Sequence, residues 1–212
     1  MQIAIDGPAG VGKSTLAKAL AKHLGYIYLD TGAMYRAVAL IAERNQVAPV
    51  ENEALENLLK GMALQFKHVD NRKCLFNHDE NIEEAIRQPE ISYAKLGSVR
   101  DAMTEQQRQI ASTHSVIMDG RDIGTVVLPN ADYKFYIIAS VEERARRRYL
   151  ELESKGIHQE YDELVKDIEA RDYQDRTRKI APLRKADDAI LIDTDNLNEK
   201  EVFEKIIGII GK

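Results

Sequence analysis

Gly7-Pro8-Ala9-Gly10-Val11-Gly12-Lys13-Ser14-Thr15, the stretch GPAGVGKST, decides the fold of this chain. It fits G-x-x-x-x-G-K-[ST], with Gly7, Gly12, Lys13 and Ser14 at the four fixed positions. Residues 2–6 before it (QIAID) read as a short buried strand. After it, Ser14 to Leu24 has helical spacing and stops at Gly25, a natural helix terminator. The order strand, glycine-rich loop, helix has a chemical purpose. Glycines let successive backbone N–H groups turn inward around phosphate oxygens without Cβ clashes, and the helix N-terminus adds its positive dipole end. Lys13 supplies a point charge for β- and γ-phosphates, and Ser14 a hydroxyl for Mg²⁺. The plainer alternative, a glycine-rich turn before an ordinary helix, leaves the joint register of all three parts unexplained. The stretch from Gly7 to Thr15 is therefore read as the binding loop for a nucleoside triphosphate.

Outward from this loop, the chain is 212 residues long, enough to bury a core and suited to one domain over residues 1–212. Its 44% hydrophobic and 31% charged residues are ordinary for a globular protein. A formal charge of −5 argues against a general nucleic-acid binder, although arginines concentrate in the last third. Cys74 is the only cysteine, which excludes an intramolecular disulfide and a cysteine-built zinc site. No apolar run reaches membrane-spanning length. The chain starts on a core strand without a leader, so the expected compartment is the cytoplasm.

Tyr26 to Asp30 (YIYLD) reads as a second strand, running into Thr31-Gly32-Ala33-Met34-Tyr35-Arg36 and a helix to about Asn45. Asp30, Thr31 and Gly32 thus lie at the carboxyl end of a strand, where open α/β sheets bind ligands. Arg36, one turn into that helix, is expected to contact phosphate rather than solvent alone. Tyr35 is either core packing or part of an acceptor wall. A polar-faced helix is expected over residues 48–61. From Ala63 the pattern changes to β-like runs, ALQFKHV and KCLFN around a turn at Asp70-Asn71, then a short piece near Glu80 to Ile82. Residues 63–88 are read as a small β insert. Pro89 is expected to start a helix that runs in two pieces, broken near Gly97, to about Thr113. Arg100 lies on it and, taken alone, reads as a surface charge.

Ser115 to Asp119 (SVIMD) is a third apolar strand, followed by Gly120-Arg121-Asp122-Ile123-Gly124-Thr125. Here a functional cluster competes with a salt-bridged turn. Position at a strand end favours function, with Asp119 near Mg²⁺, directly or through water, and Arg121 and Asp122 facing the same cleft. Tyr133 to Ala139 is the fourth strand. The helix from about Val141 carries Arg144, Arg146, Arg147 and Arg148, expected to be largely a solvated face. Tyr161 to Arg178 reads as a long charged helix that Pro182 terminates. It is either an exposed, salt-bridge-laced helix or a mobile lid over roughly residues 145–185. Ala189 to Asp193 is the fifth strand and Glu199 to Ile210 the closing helix. Five apolar strands alternating with helices imply a doubly wound parallel sheet of the P-loop NTPase type, with right-handed crossovers.

Taken together, GPAGVGKST, LDTGAMYR, the β insert, MDGRDIGTVV and RDYQDRTRKIAPL occur in that order over nearly the whole chain. In this it closely resembles the bacterial cytidylate kinases, within the nucleoside monophosphate kinases. The loop alone is shared by hundreds of functions, whereas DGRDIGTVV and RTRKIAPL are far more specific. The resemblance implies ATP as phosphoryl donor, Mg²⁺, and CMP or dCMP as acceptor. Carried over, Arg36, Arg121 and Arg178 hold the acceptor phosphate, and Thr31 belongs to the same acceptor site. Arg100 and Asp122 read cytosine, while Asp175 and Arg171 contact the sugar. A carboxylate paired with an arginine complements the N4 donor and the N3 and O2 acceptors of cytosine. Uracil would set a carbonyl oxygen against Asp122, an acceptor pair costing about 1–3 kcal/mol when buried. Two departures stand out. The family's serine near the N4 amino group has no clear match in residues 90–100 (EISYAKLGSVR), a segment several residues shorter than usual, with Ser92 and Ser98 as substitutes. Thr31 stands where many relatives have serine and keeps the hydroxyl.

Phosphoryl transfer needs alignment and charge neutralisation more than a base. The expected machinery is Lys13 with Mg²⁺ on Ser14 and Asp119 in its outer shell, and no dedicated general base. Arg171 and Arg178, with Arg176 and Arg147 as further candidates, arrive with the lid and exclude water. The expected partners are small nucleotides, not nucleic acid or membrane, and the expected state is a monomer. Rival readings are a kinase of UMP, AMP or shikimate, and a nucleotide-binding switch without turnover.

Overall fold

β1 (Gln2–Asp6) is buried from Ile3 onward and forms the middle strand of a five-stranded sheet in the order β2-β6-β1-β7-β8. The computed structural model describes residues 1–69, 72–87 and 92–211. β2 is Ile27–Asp30, β6 Val116–Gly120, β7 Tyr133–Ile138 and β8 Ile190–Asp193. β1 runs parallel to both β6 and β7, and β7 parallel to β8. The chain therefore moves away from β1 in opposite directions on its two sides, which opens a crevice at the carboxyl ends of β1 and β6. Register makes this concrete. Ile5 lies opposite Asp119, and Asp6 opposite both Gly120 and Tyr136.

The chain divides into two compact units, residues 1–29 with 110–212, and residues 30–109. In the first, apolar side chains of α1 (Lys13–Leu24) and α7 (Glu199–Ile210) pack with Ile3, Ile5, Ile117, Phe135, Ile137 and Ile192 of the strands. α7 starts in a reciprocal cap: the Glu201 N–H donates to the Asn198 side chain, and the Asn198 N–H to the Glu201 carboxylate. α5 (Val141–Ser154) and α6 (Tyr161–Thr177) pack on each other through Ala145, Leu152 and Leu164.

In the second unit, α2 (Thr31–Arg44), α3 (Glu53–Gly61) and the start of α4 (Gly97–Thr113) share a core with a three-stranded antiparallel sheet. That sheet is β3 (Leu64–Val69), β4 (Arg72–Asn77) and β5 (Glu80–Asn81). Cys74 is buried in it. The expected turn at Asp70-Asn71 and the expected helix start at Pro89 lie outside the described residues. α3 begins five residues later than the 48–61 expectation. The Asn52 side chain accepts the Leu55 N–H at 2.9 Å, and this cap, not the polar run before it, sets the start. The expected break near Gly97 is present, between a short helical turn at Ser92–Lys95 and α4. No helix among the described residues is long and apolar enough to cross a membrane.

Candidate functional site

The binding loop leaves β1 at Gly7, whose φ of +152° and surroundings admit only glycine. A Cβ there would lie 2.1 Å from the Ile137 carbonyl oxygen. Gly12, at φ +87°, is the N-cap of α1 and offers no side chain to the first helical N–H groups, which leaves them to a ligand. Lys13 is buried and its ammonium reaches back over the loop to the Pro8 carbonyl at 2.5 Å. Burial, then the Arg121 charge, pulls it down to about 7, against Asp119, Asp6 and Asp175, which pull it up. The Ser14 hydroxyl donates to Asp119 Oδ2 at 2.7 Å, and the Tyr28 hydroxyl to Asp119 Oδ1 at 2.8 Å. Among the described residues no group of three or more His, Cys, Asp or Glu could hold a metal ion unaided. Ser14 and Asp119 form a hard-oxygen pair at the loop, which fits Mg²⁺ that takes its other oxygens from phosphates and water.

After β6, residues 122–128 form one wide helical turn. Val127 and Leu128 donate their N–H groups five residues back, to Asp122 and Ile123. Of the two readings of this cluster, the salt-bridged turn is what the geometry displays, at the carboxyl end of β6. Arg121 Nε donates to Asp175 Oδ2 at 2.7 Å, and Arg178 Nη2 lies 3.4 Å from Asp122 Oδ1. Arg178 caps the end of α6 and also donates to the Ala181 carbonyl at 2.6 Å. The loop and this turn are joined by a group that sequence reasoning missed. Asp6, buried at the end of β1, accepts the N–H groups of Ile123 (2.8 Å) and Gly124 (2.7 Å). The signal was an aspartate closing an otherwise apolar strand directly before the loop.

The arginines of α5 and α6 separate into two kinds. Arg146 and Arg148 are exposed, as expected of a solvated face. Arg144 is not. It is buried, holds Asp172 in a two-bonded pair at 2.9 and 2.6 Å, and donates to the loop carbonyl of Ala9 at 3.1 Å. The expectation of a solvated residue fails there because Asp172, 28 positions on, supplies the countercharge. Arg147 donates to Glu143 and to the Thr194 carbonyl, each at 2.7 Å. Glu143 is drawn down to about 2 by its hydrogen bonds to Arg146 and Arg147. A cavity of about 190 Å³ opens here, lined by Val11, Thr15, Arg147, Thr194, Val202 and Phe203. Arg171 and Arg176 are exposed on α6.

In the second unit, Asp30 caps α2 by accepting the Ala33 N–H at 2.8 Å, Thr31 is buried at the helix start, and Arg36 lies 3.5 Å from Asp30. Arg100, read from sequence as a surface charge, is 4% exposed. Its guanidinium lies over the Tyr35 ring, 5.3 Å from the centroid, and donates to the Ala94 carbonyl at 3.1 Å. Tyr35 is thus packed in the core while it also carries this arginine. In the first turn of α4 the Ser98 N–H donates to Glu51 at 3.1 Å, and the side chain of Ser92 lies outside the described residues.

The chain is similar to known proteins over its whole length. A family model described as cytidylate kinase matches residues 3–212. A cytidylate kinase of Lactobacillus johnsonii is 51% identical over 217 aligned positions, covering all of this chain and 94% of its own. One from Caldicellulosiruptor bescii is 48% identical, with 100% and 96% covered. Among solved structures, a shikimate kinase from Bacteroides thetaiotaomicron superposes with a TM-score of 0.51 at 15% identity, covering 100% of this chain and 99% of its own, a likeness of fold alone.

Proposed function

The chain belongs to the cytidylate kinase family, and on that premise we propose that it transfers the γ-phosphoryl group of ATP to CMP or dCMP, giving ADP and CDP or dCDP. The observation that carries the reading is the junction of two charged devices at one sheet edge. The phosphate-cradling loop ends β1, and the Arg121–Asp122 turn, ion-paired with Asp175 and Arg178, ends its neighbour β6.

In the reaction an oxygen of the acceptor phosphate attacks the γ-phosphorus, and the bond to the β-phosphate oxygen breaks as ADP leaves. A monoester phosphate has its second pKa at about 6, so the attacking oxygen is already anionic at neutral pH and no base is needed. The protein's work is alignment and charge. Lys13 and the backbone N–H groups of the Gly7–Thr15 loop, Pro8 excepted, bind the donor phosphates. Ser14, with Asp119 behind it, would hold Mg²⁺, which supplies further neutralisation of the phosphate oxygens. Arg36, Arg121 and Arg178 take the acceptor phosphate, Thr31 stands beside it, and Asp175 and Arg171 take the sugar. Arg100 and Asp122 read the cytosine edge. The cavity between Val11 and Phe203 suits the donor base, with apolar walls and the Arg147 guanidinium as one face. Residues 145–185 act as the lid and 63–88 as the insert of a single kinase domain. We further propose a cytoplasmic monomer acting on free nucleotides.

The test is ADP release with Mg-ATP and CMP, dCMP, UMP and AMP in parallel. Strong turnover on CMP and dCMP with weak UMP is expected. Equal turnover on UMP would sink the assignment of Asp122 and Arg100 to the base, and no turnover on any acceptor would sink the kinase reading.

A further inference from the structure

A carboxylate at the end of β1 ties the start of the donor loop to the backbone just after Arg121 and Asp122. Asp6 immediately precedes Gly7 and is 4% exposed. Its Oδ1 accepts the Ile123 N–H at 2.8 Å and its Oδ2 the Gly124 N–H at 2.7 Å. The two donors are the first residues after Asp122, so the carboxylate grips the backbone at the point where the Asp122 side chain is aimed.

The grip is exclusive on the other side as well. A Cβ on Gly124 would lie 3.3 Å from Asp6 Oδ2 and 3.2 Å from the Lys134 side chain. Lys134 is itself fixed by the Pro129 carbonyl at 2.5 Å and by Asp188 at 2.7 Å. Gly124 is therefore clamped between two immobilised side chains. A buried carboxylate is an expensive way to place a turn unless both oxygens are used, and here each takes one backbone donor. Burial pushes the Asp6 carboxyl up to about 6, helped by the Asp122 charge and opposed by the two N–H groups and Lys13, so it remains mainly ionised at neutral pH. Tyr136, on β7, lies close enough to feel its charge.

We propose that Asp6 is a positioning residue for acceptor-base selection, holding the 123–124 amides so that Asp122 meets the cytosine edge. The proposal rests on the assignment of Asp122 to the base, and extends it to a residue that touches neither substrate. Asparagine at position 6 offers one acceptor oxygen for two N–H donors and turns an NH₂ group against the second. The turn must then shift or lose a bond.

Steady-state kinetics on Asp6→Asn, Asp122→Asn and the parent enzyme, with CMP and UMP at saturating Mg-ATP, tests this. For Asp6→Asn, kcat/KM for CMP should fall at least 10-fold and the CMP-to-UMP ratio should collapse toward that of Asp122→Asn, while KM for ATP stays within about 2-fold. A purely structural role lowers CMP and UMP in proportion, and that result overturns the proposal. So does a rise in KM for ATP as large as that for CMP, which would make Asp6 a support of the donor loop alone. If Asp122→Asn itself leaves the ratio unchanged, the base assignment fails rather than the link. Gly124→Ala provides a second route, because it pushes the turn off an intact Asp6. It should shrink the same ratio, and an unchanged ratio in a folded Gly124→Ala enzyme also overturns the proposal.

Discussion

Asp172→Ala isolates the energetics of the buried charge that joins α5 to α6. Arg144 is 3% exposed and Asp172 10%, and their two-bonded contact is made at 2.9 and 2.6 Å. Removing one partner of such a pair costs about 3–5 kcal/mol, because the other charge stays buried without a counterion. The lower end applies here. After loss of Asp172 the guanidinium still donates to the carbonyls of Ala9 and Ala139 at 3.1 Å each, so it is not stripped of acceptors. About 3 kcal/mol is a large share of the usual 5–15 kcal/mol total. At roughly 2–4 °C per kcal/mol for a chain of this size, the melting midpoint should fall by about 6–12 °C. Urea titration and thermal melts measure it. The double variant Arg144→Met/Asp172→Leu leaves no charge behind and should recover most of the loss. It also deletes the bond to Ala9, so its KM for ATP should rise where that of Asp172→Ala does not. A shift below about 2 °C in Asp172→Ala would refute the reasoning, since it would mean that water reaches the guanidinium in the folded protein.

Three further outcomes are expected. Gly7→Ala should abolish ATP binding in a fluorescent-nucleotide titration and lower the melting midpoint, because its Cβ would collide with the Ile137 carbonyl. Arg178→Ala should lower kcat by about 10²–10³, the usual effect of deleting one donor to a transferring group, and near-normal turnover would remove it from the catalytic set. The Asp6 carboxyl, raised from 3.8 to about 6, binds its proton more tightly folded than unfolded, so acidification stabilises the fold through this group. Between pH 7 and pH 4, melts of the parent chain should therefore gain on those of Asp6→Asn, on the order of 3 kcal/mol at about 1.4 kcal/mol per pKa unit. A constant difference across that range would contradict the buried, ionised Asp6.

What could be read from sequence follows the range of the physics involved. The loop from Gly7 to Thr15 is local: glycine positions, a strand before and a helix after are all written within 25 residues, and each lies where expected. The five strands are short apolar runs and were legible for the same reason. Burial of individual charges was not, because it depends on distant partners. Arg144 sits in a run of arginines that looks solvated, and only Asp172 on another helix makes it an interior group. Arg100 looks like any helix arginine until the Tyr35 ring, 65 positions earlier, is laid beneath it. Asp6 and its amide partners are separated by more than 115 residues. The wide turn at 122–128 carries no period that marks it, since its bonds span five residues and cover barely one turn.

The ion pairs of the first unit also explain how a site this crowded with charge stays folded. Arg121 and Arg178 are the proposed phosphate ligands, and each has a carboxylate in reach, Asp175 at 2.7 Å and Asp122 at 3.4 Å. A partly buried guanidinium without a countercharge would weaken the fold by kilocalories, whereas one that exchanges a carboxylate for a phosphate keeps an anion throughout. On the proposed roles, the displaced carboxylates are not left alone either. Asp175 passes to the sugar hydroxyls and Asp122 to the cytosine amino group, both donors. Acceptor binding is then a swap of partners among four charged groups. A nucleotide that supplies phosphate but no amino donor completes only half of it and leaves Asp122 unpaired. On these proposed roles, discrimination against uracil would follow from that incomplete exchange, and it would be sharp only while Asp6 keeps the turn where the exchange can occur.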